Sequence, residues 1–181
     1  SKPKPPMKRL NRPPPEQPPE PPALAVEATL DIKQLSARGL NLTQARGVAR
    51  LEDGVFDLNL EEGRLADGGF RASFQYDMAR VDPSYNWNVK IDEAKASDVL
   101  DAFSPGLAHK FSGQANVASR GSGQVGGAEP LRRLDSESSF VFRDGEIKEI
   151  FLLDLLARFT RVESFRNLRY FNFNGDVLID D

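Results

Sequence analysis

The chain has 181 residues, with 24 Lys and Arg against 27 Asp and Glu, a formal net charge of −3, one histidine, 39% hydrophobic residues and no cysteine. The missing cysteines exclude disulfides and thiolate metal sites, and the acidic balance argues against a nucleic-acid surface. No stretch is long and apolar enough to span a bilayer, since the best candidate, Ile150 to Leu156, is short and contains Asp154.

In chain order, residues 1–22 come first and hold ten of the 13 prolines. Such a tract favours extended polyproline II at ~3.1 Å per residue and reads as a semi-rigid linker, with an SH3-type ligand as the weaker alternative. It carries five basic side chains against Glu16 and Glu20, so residues 23–181, one domain's length, are net −6. There Leu24, Val26, Ala28, Leu30 and Ile32 alternate with Glu27, Thr29, Asp31 and Lys33, a period of two that predicts a strand over 24–33 with one dry face. Strands are predicted over 40–50, 55–61, 69–78 and 85–93. Asp53-Gly54 and Asp67-Gly68 supply tight turns, because both residues of such a pair tolerate positive φ. A short helix is predicted over 97–104 with Ser97 as N-cap, Asp98 in its first turn and Val99, Leu100 and Phe103 on one face.

A strand over 111–120 precedes the run GSGQVGG, after which Pro130 is placed to open a short helix. Asp144-Gly145 then predicts a hairpin between strands at 137–143 and 145–149, a helix covers 149–160, and Asn174-Gly175 predicts a final hairpin. The fold class is therefore mainly β, an antiparallel meander of eight to ten strands with two to four short helices. Such a sheet offers roughly 700–850 Å² per face at ~4.8 Å strand spacing and ~18 Å strand length. Three short helices cover about 400 Å², so the sheet is expected to curve strongly, or to leave an apolar groove of the size that marks a binding surface.

Candidate chemistry is sparse. Gly121-Ser122-Gly123-Gln124-Val125-Gly126 matches the G-x-G-x-x-G pattern, but a phosphate loop needs a parallel βαβ unit, and among antiparallel hairpins the run reads as a flexible loop. His109 has no cysteine and no G-x-S-x-G elbow to partner it and reads as a surface residue. The pairs Glu61-Glu62 and Asp92-Glu93 place neighbouring carboxylates on opposite strand faces, which suits solvation and edge protection rather than a metal cage. No catalytic residue, metal ligand or cofactor is assigned, and the chain is expected not to be an enzyme. The segment 149–161 leaves only Asp154 and Arg158 as a polar stripe and is expected to bury itself against the sheet, with a membrane or a partner as alternatives. Its contact candidates are Ile150, Phe151, Leu155 and Phe159.

The run Leu35 to Leu40, then Val48 to Gly54, Leu58-Asn59-Leu60, and Leu65 to Ala72 resembles the C-terminal region of the AsmA-like family of bacterial envelope proteins. Val99 to Phe103, Phe111-Ser112-Gly113 and Phe140 to Ile147 match the later helix, strand and "x-x-DG-x-I" segments. Leu134-Asp135 departs from the family's Leu-x-Gly step. The resemblance covers residues 24 to 180 and rests on turn glycines rather than chemical signatures. It implies a periplasmic piece of a Gram-negative envelope protein whose parent is anchored in the inner membrane, a bridge along which phospholipid passes towards the outer membrane or which serves outer-membrane biogenesis. With no initiator methionine or signal peptide, and an end at Asp180-Asp181 just after a strand-like segment, the chain reads as a fragment of such a protein. The expected function is non-catalytic lipid handling, with Phe56, Leu58, Leu60, Phe70, Phe74 and Trp87 touching acyl chains. The alternative is a closed assembly domain that binds an envelope protein through an edge strand or the 149–160 helix. The last strand, 176–181, is expected to pair with the segment before Asn174-Gly175 on one side only.

Overall fold

The computed structural model describes residues 25–37, 39–125 and 133–180. The proline-rich 1–22 and the helix expected at Pro130 lie outside the described residues. Eight antiparallel strands form one sheet in sequential order: β1 (Val26–Ala37), β2 (Leu40–Glu52), β3 (Val55–Leu65), β4 (Gly68–Asp77), β5 (Ser84–Lys95), β6 (Gln114–Gln124), β7 (Asp135–Lys148) and β8 (Asn167–Ile179). Among the described residues β1 pairs only with β2 and β8 only with β7, so the sheet is not closed. Helices α1 (Ala96–Phe103) and α2 (Pro105–Ala108) lie between β5 and β6. Helix α3 (Phe151–Thr160) and a 3-10 turn (Glu163–Arg166) lie between β7 and β8. All of them sit at one end of the sheet, the end that also holds the β1–β2 and β3–β4 turns.

Two of the four expected turns are corrected. Asp144-Gly145 lies inside β7 and Asn174-Gly175 inside β8, where Asn174 pairs with Val141 and Gly175 with Phe140. The final strand therefore pairs with β7 and not with its own upstream segment. Gly175 is explained by Phe140, whose ring a Cβ there would meet at 2.5 Å. The β3–β4 turn uses Ala66 and Asp67, both at positive φ, one residue before the expected pair. Gly68 already belongs to β4, where a Cβ would lie 2.5 Å from the Ala94 amide nitrogen and the Asp92 carbonyl oxygen. Lys95, rather than Ser97, is the N-cap of α1, and Ser97 instead donates to Asp98 at 3.0 Å. The Ala96 amide at this helix start is satisfied across the sheet end by the Gly113 carbonyl.

Asp144 exemplifies a device used three times. Gln44, Glu93 and Asp144 each have positive φ inside a strand, and each precedes a small residue: Ala45, Ala94 or Gly145. The register shifts by a residue at each site, as between Ile91↔Val117 and Ala94↔Ala115. An inserted residue of this kind is a β-bulge, and it reverses which side chains face which way. The apolar steps Leu42 to Ala45 and Ile91 to Ala94 are three residues long, so a bulge returns both members to one face. At the β5 bulge the Glu93 amide donates to Asn116 Oδ1 at 3.0 Å. The core that results is confined to the helix-bearing end: Leu42, Ala45, Leu60, Leu65, Ile91, Ala94, Ala115 and Phe142 from the sheet, with Ala96 and Val99 from α1.

The opposite face is polar and tied across strands. Arg50 donates to Glu27 at 2.5 Å, Gln75 to Asp57 at 2.8 Å and Asn86 to Gln75 at 3.0 Å, and Arg120 pairs with Glu137. Glu62 pairs with Arg46, and Asp92 with Arg71 and Lys90. Burial pushes the Asp92 carboxyl up, but the hydrogen bonds from Lys90 and Arg71 outweigh it and leave it below its ordinary value. These carboxylates lie on interior strands, which corrects their reading as edge protection. At the β3–β4 turn the hydrogen bond from Lys95 holds the Asp67 carboxyl below its ordinary value. A depressed folded pKa stabilises above the unfolded value of about 3.9 and loses that contribution as pH falls through the folded one. Asp67→Asn is therefore expected to lower the melting temperature slightly at neutral pH and not at all in strong acid. Both partners are exposed, so added salt shrinks the difference.

Candidate apolar binding face

Residues paired across an antiparallel ladder share a face, so the register alone assembles the site. One transverse row reads Ala28, Ala49, Leu58, Phe74, Trp87, Gly121, Ser136 and Ile179, one residue from each of the eight strands. The next row towards the helices is Leu30, Gly47, Leu60, Ala72, Val89, Ser119, Ser138 and Val177. On the other side lie Val26, Leu51, Phe56, Tyr76, Tyr85 and Gly123. The six residues expected to touch lipid, Phe56, Leu58, Leu60, Phe70, Phe74 and Trp87, all fall on this face.

They do not fall in one environment. Leu60 is buried in the core, and Leu58 and Phe70 pack against it. Phe56, Phe74 and Trp87 lie outside that cluster, with Phe74 37% exposed. Exposure grows towards the helix-free end and the edges, where Val26, Val177 and Ile179 are exposed.

Trp87 and Tyr85 form a flat aromatic floor, stacked with centroids 5.9 Å apart and planes 22° from parallel. This floor explains Gly121 and Gly123. A Cβ on Gly121 would collide with the Trp87 ring, and one on Gly123 would lie 2.5 Å from the Tyr85 hydroxyl oxygen. The G-x-G of the sequence is thus neither a phosphate loop nor a flexible one; it is the part of β6 over which two rings lie. Trp87 Nε1 donates to Ser119 Oγ at 3.2 Å, and Ser119 Oγ lies 2.8 Å from Ser138 Oγ. The polar atoms of Trp87, Ser119 and Ser138 therefore satisfy one another. Around Gly121 a shallow open cavity of about 480 Å³ is lined both by Trp87, Ser136 and Ile179 of this row and by Asn88, Arg120, Glu137 and Leu178 of the polar face. This aromatic-over-glycine pairing was the sequence signal missed: two glycines two residues apart in a strand, opposite two aromatics with the same spacing.

The expected burial of the 149–160 helix is overturned. Of the residues of α3 only Ala157 is buried, while Phe151 is 80% and Phe159 88% exposed and Leu155 is exposed as well. Ile150 is the half-buried N-cap. The helix packs mainly on the adjoining 3-10 turn, not on the sheet. It leaves the sheet because Glu149, just before it, takes positive φ, and it ends on Arg161 in the left-handed region.

His109 is exposed, with Nε2 3.6 Å from a Glu149 carboxylate oxygen. Among the described residues no group of three His, Cys, Asp or Glu is placed to hold a metal ion, and no helix is long and apolar enough to cross a membrane. No family model matches the chain, and neither a curated protein nor a solved structure does.

Proposed function

We propose that this chain is a lipid-handling module of a Gram-negative cell envelope, non-catalytic, in which the apolar sheet face contacts phospholipid acyl chains. The observation that carries this reading is the transverse row through Leu58, Phe74 and Trp87, an apolar band that crosses eight strands with helices at one end only. With strands of 10–14 residues the face measures on the order of 1,500 Å², far beyond what α1 and α2 cover. The bulges at Gln44, Glu93 and Asp144 favour a bent sheet, since each sharpens local twist, and a bent sheet makes a trough of such a face. Each acyl methylene that it buries is worth ~0.8 kcal/mol, so binding needs no polar selectivity. The resemblance to AsmA-like proteins supports the same reading, with a periplasmic location, an inner-membrane anchor elsewhere in the parent and a part in phospholipid transport or outer-membrane biogenesis.

Trp87 is the only tryptophan, so its emission reports on the face directly. A fatty acid brominated along its chain is expected to quench Trp87 on binding. Phe74→Asp, which puts a charge beside Trp87 at an already exposed position, is expected to weaken that binding tenfold or more, about 1.4 kcal/mol. Unquenched emission at saturating lipid, together with lipid-free protein from a Gram-negative host by mass spectrometry, would sink the proposal.

A second reading, an assembly domain docking an envelope protein, draws on β8. Among the described residues that strand pairs on one side only, and it exposes Val177, Leu178 and Ile179, which suits strand addition by a partner.

A further inference from the structure

From the orientation of α3 we infer that this helix and the 3-10 turn after it form a docking site for an anionic lipid bilayer surface, the helix lying in the plane of the interface. Phe151, Leu152, Leu155, Leu156 and Phe159 fall at i, i+1, i+4, i+5 and i+8 and so make one contiguous stripe. An amphipathic helix in a water-soluble domain turns such a stripe inward; α3 turns it outward. Its buried residue, Ala157, lies on the opposite side of the wheel from the centre of the stripe. Asp154, 4.0 Å from Arg166 of the 3-10 turn, lies with half-buried Leu153 and buried Ala157 on the side that packs. Val162, just after the helix, is 42% exposed, and Phe171 on β8 is 88% exposed.

Charge complementarity names the occupant. The chain as a whole is net −3, yet residues 150–171 carry four arginines against Asp154 and Glu163. Arg166 is engaged by those two carboxylates, while Arg158, Arg161 and Arg169 are exposed and make no ion pair among the described residues. Three guanidinium groups without an ion pair among the described residues, on the same segment as the exposed phenylalanines, match a surface with an apolar interior and anionic headgroups, the combination that holds interfacial helices. A ten-residue helix is ~15 Å long, too short to span a bilayer and suited to lying on it. The docking site is separate from the acyl-binding face and stands whether or not that face holds lipid.

The test is co-sedimentation of the full chain with sucrose-loaded vesicles of phosphatidylglycerol and phosphatidylethanolamine, compared with vesicles of phosphatidylcholine alone. Binding is expected to the anionic vesicles, to fall with added salt, and to drop about five-fold for each arginine lost in Arg158→Gln, Arg161→Gln and Arg169→Gln. Phe151→Ser with Phe159→Ser is expected to abolish it while leaving the circular dichroism spectrum and the quenching of Trp87 by brominated fatty acid unchanged. Equal binding to both vesicle types, or no change in the serine variant, would overturn the inference. So would a concentration-dependent dimer in sedimentation velocity that the serine variant dissolves, because the stripe would then belong to a second copy of the chain.

Discussion

Gly47→Ala is expected to destabilise the domain at or beyond the top of the ~1–3 kcal/mol that overpacking costs. A Cβ at this position would land on the Asn59 carbonyl oxygen and come within 2.9 Å of the Asn59 carbonyl carbon and Leu60 Cα, all backbone atoms of β3. A side chain in the way can change rotamer, but a neighbouring strand can only move as a whole, and here it would pull Leu60 from the core. The close approach follows from the irregular β2–β3 register, where Arg46 pairs with Glu62 and the very next residue, Gly47, with Leu60. Gly106→Ala in α2 is the control, since nothing lies within 4 Å of a Cβ there and alanine is the better helix former by ~1 kcal/mol. Urea midpoints measure both. An unchanged midpoint for Gly47→Ala would mean that β2 and β3 do not approach as described.

The β2–β3 pair also shows where reading from sequence stops. Alternation placed Phe56, Leu58 and Leu60 on one face, and the register agrees, because a two-residue period leaves little choice once one face is dry. Alternation does not report a change of phase. Asp144-Gly145 was read as a hairpin because its backbone preference is that of a turn, and the preference was right: Asp144 has positive φ. What the dipeptide does not encode is whether the chain reverses there or steps sideways by one residue. The discriminating evidence lies in the flanks, where Phe140 and Phe142 before the pair and Ile147 after it keep to one face only through a phase shift. The step Leu42 to Ala45, inside the strand expected over 40–50, and the step Ile91 to Ala94, across the end of the one expected over 85–93, carry the same signature.

Helix α3 failed for a different reason. Its composition was read correctly as apolar on most sides, but composition does not say which side meets the protein. The Asp154–Arg166 pair and the backbone at Glu149 turn the side with Leu153, Asp154 and Ala157 inward. Of the two candidate sets, the strand residues were therefore legible as a face, since a sheet offers only two. The helix residues were legible only as a stripe.

Phe142→Ala is expected to cost ~3–5 kcal/mol and to release β8 before the rest of the sheet. Phe142 is 6% exposed and joins β7, β8 and the loop before β6: its ring lies 5.4 Å from Phe140 on its own strand, 6.0 Å from Phe111 and 6.2 Å from Phe173 on β8, stacked on the last at 13°. β8 has little else. Among the described residues it pairs with β7 alone, and along its length only Tyr170 and Gly175 are half-buried. Tyr170 adds one hydrogen bond, donated to the Ser112 carbonyl at 2.5 Å, and its burial raises the phenol's pKa above the ordinary value, so neutral pH keeps the donor. With the Phe142 ring gone, an edge strand in water is left with its ladder to one neighbour, and its amides are expected to exchange about a hundredfold faster while those of β2 to β5 change far less. Phe171→Ala, at 88% exposure, is expected to stay within ~0.5 kcal/mol of the parent. Uniform acceleration across all eight strands in hydrogen exchange would show instead that Phe142 anchors the whole sheet. Because α3 and the 3-10 turn hang between β7 and β8, selective loosening would also slacken the support of the exposed stripe, and weaker vesicle binding by Phe142→Ala with Trp87 quenching retained would tie the aromatic cluster to the helix rather than to the sheet face.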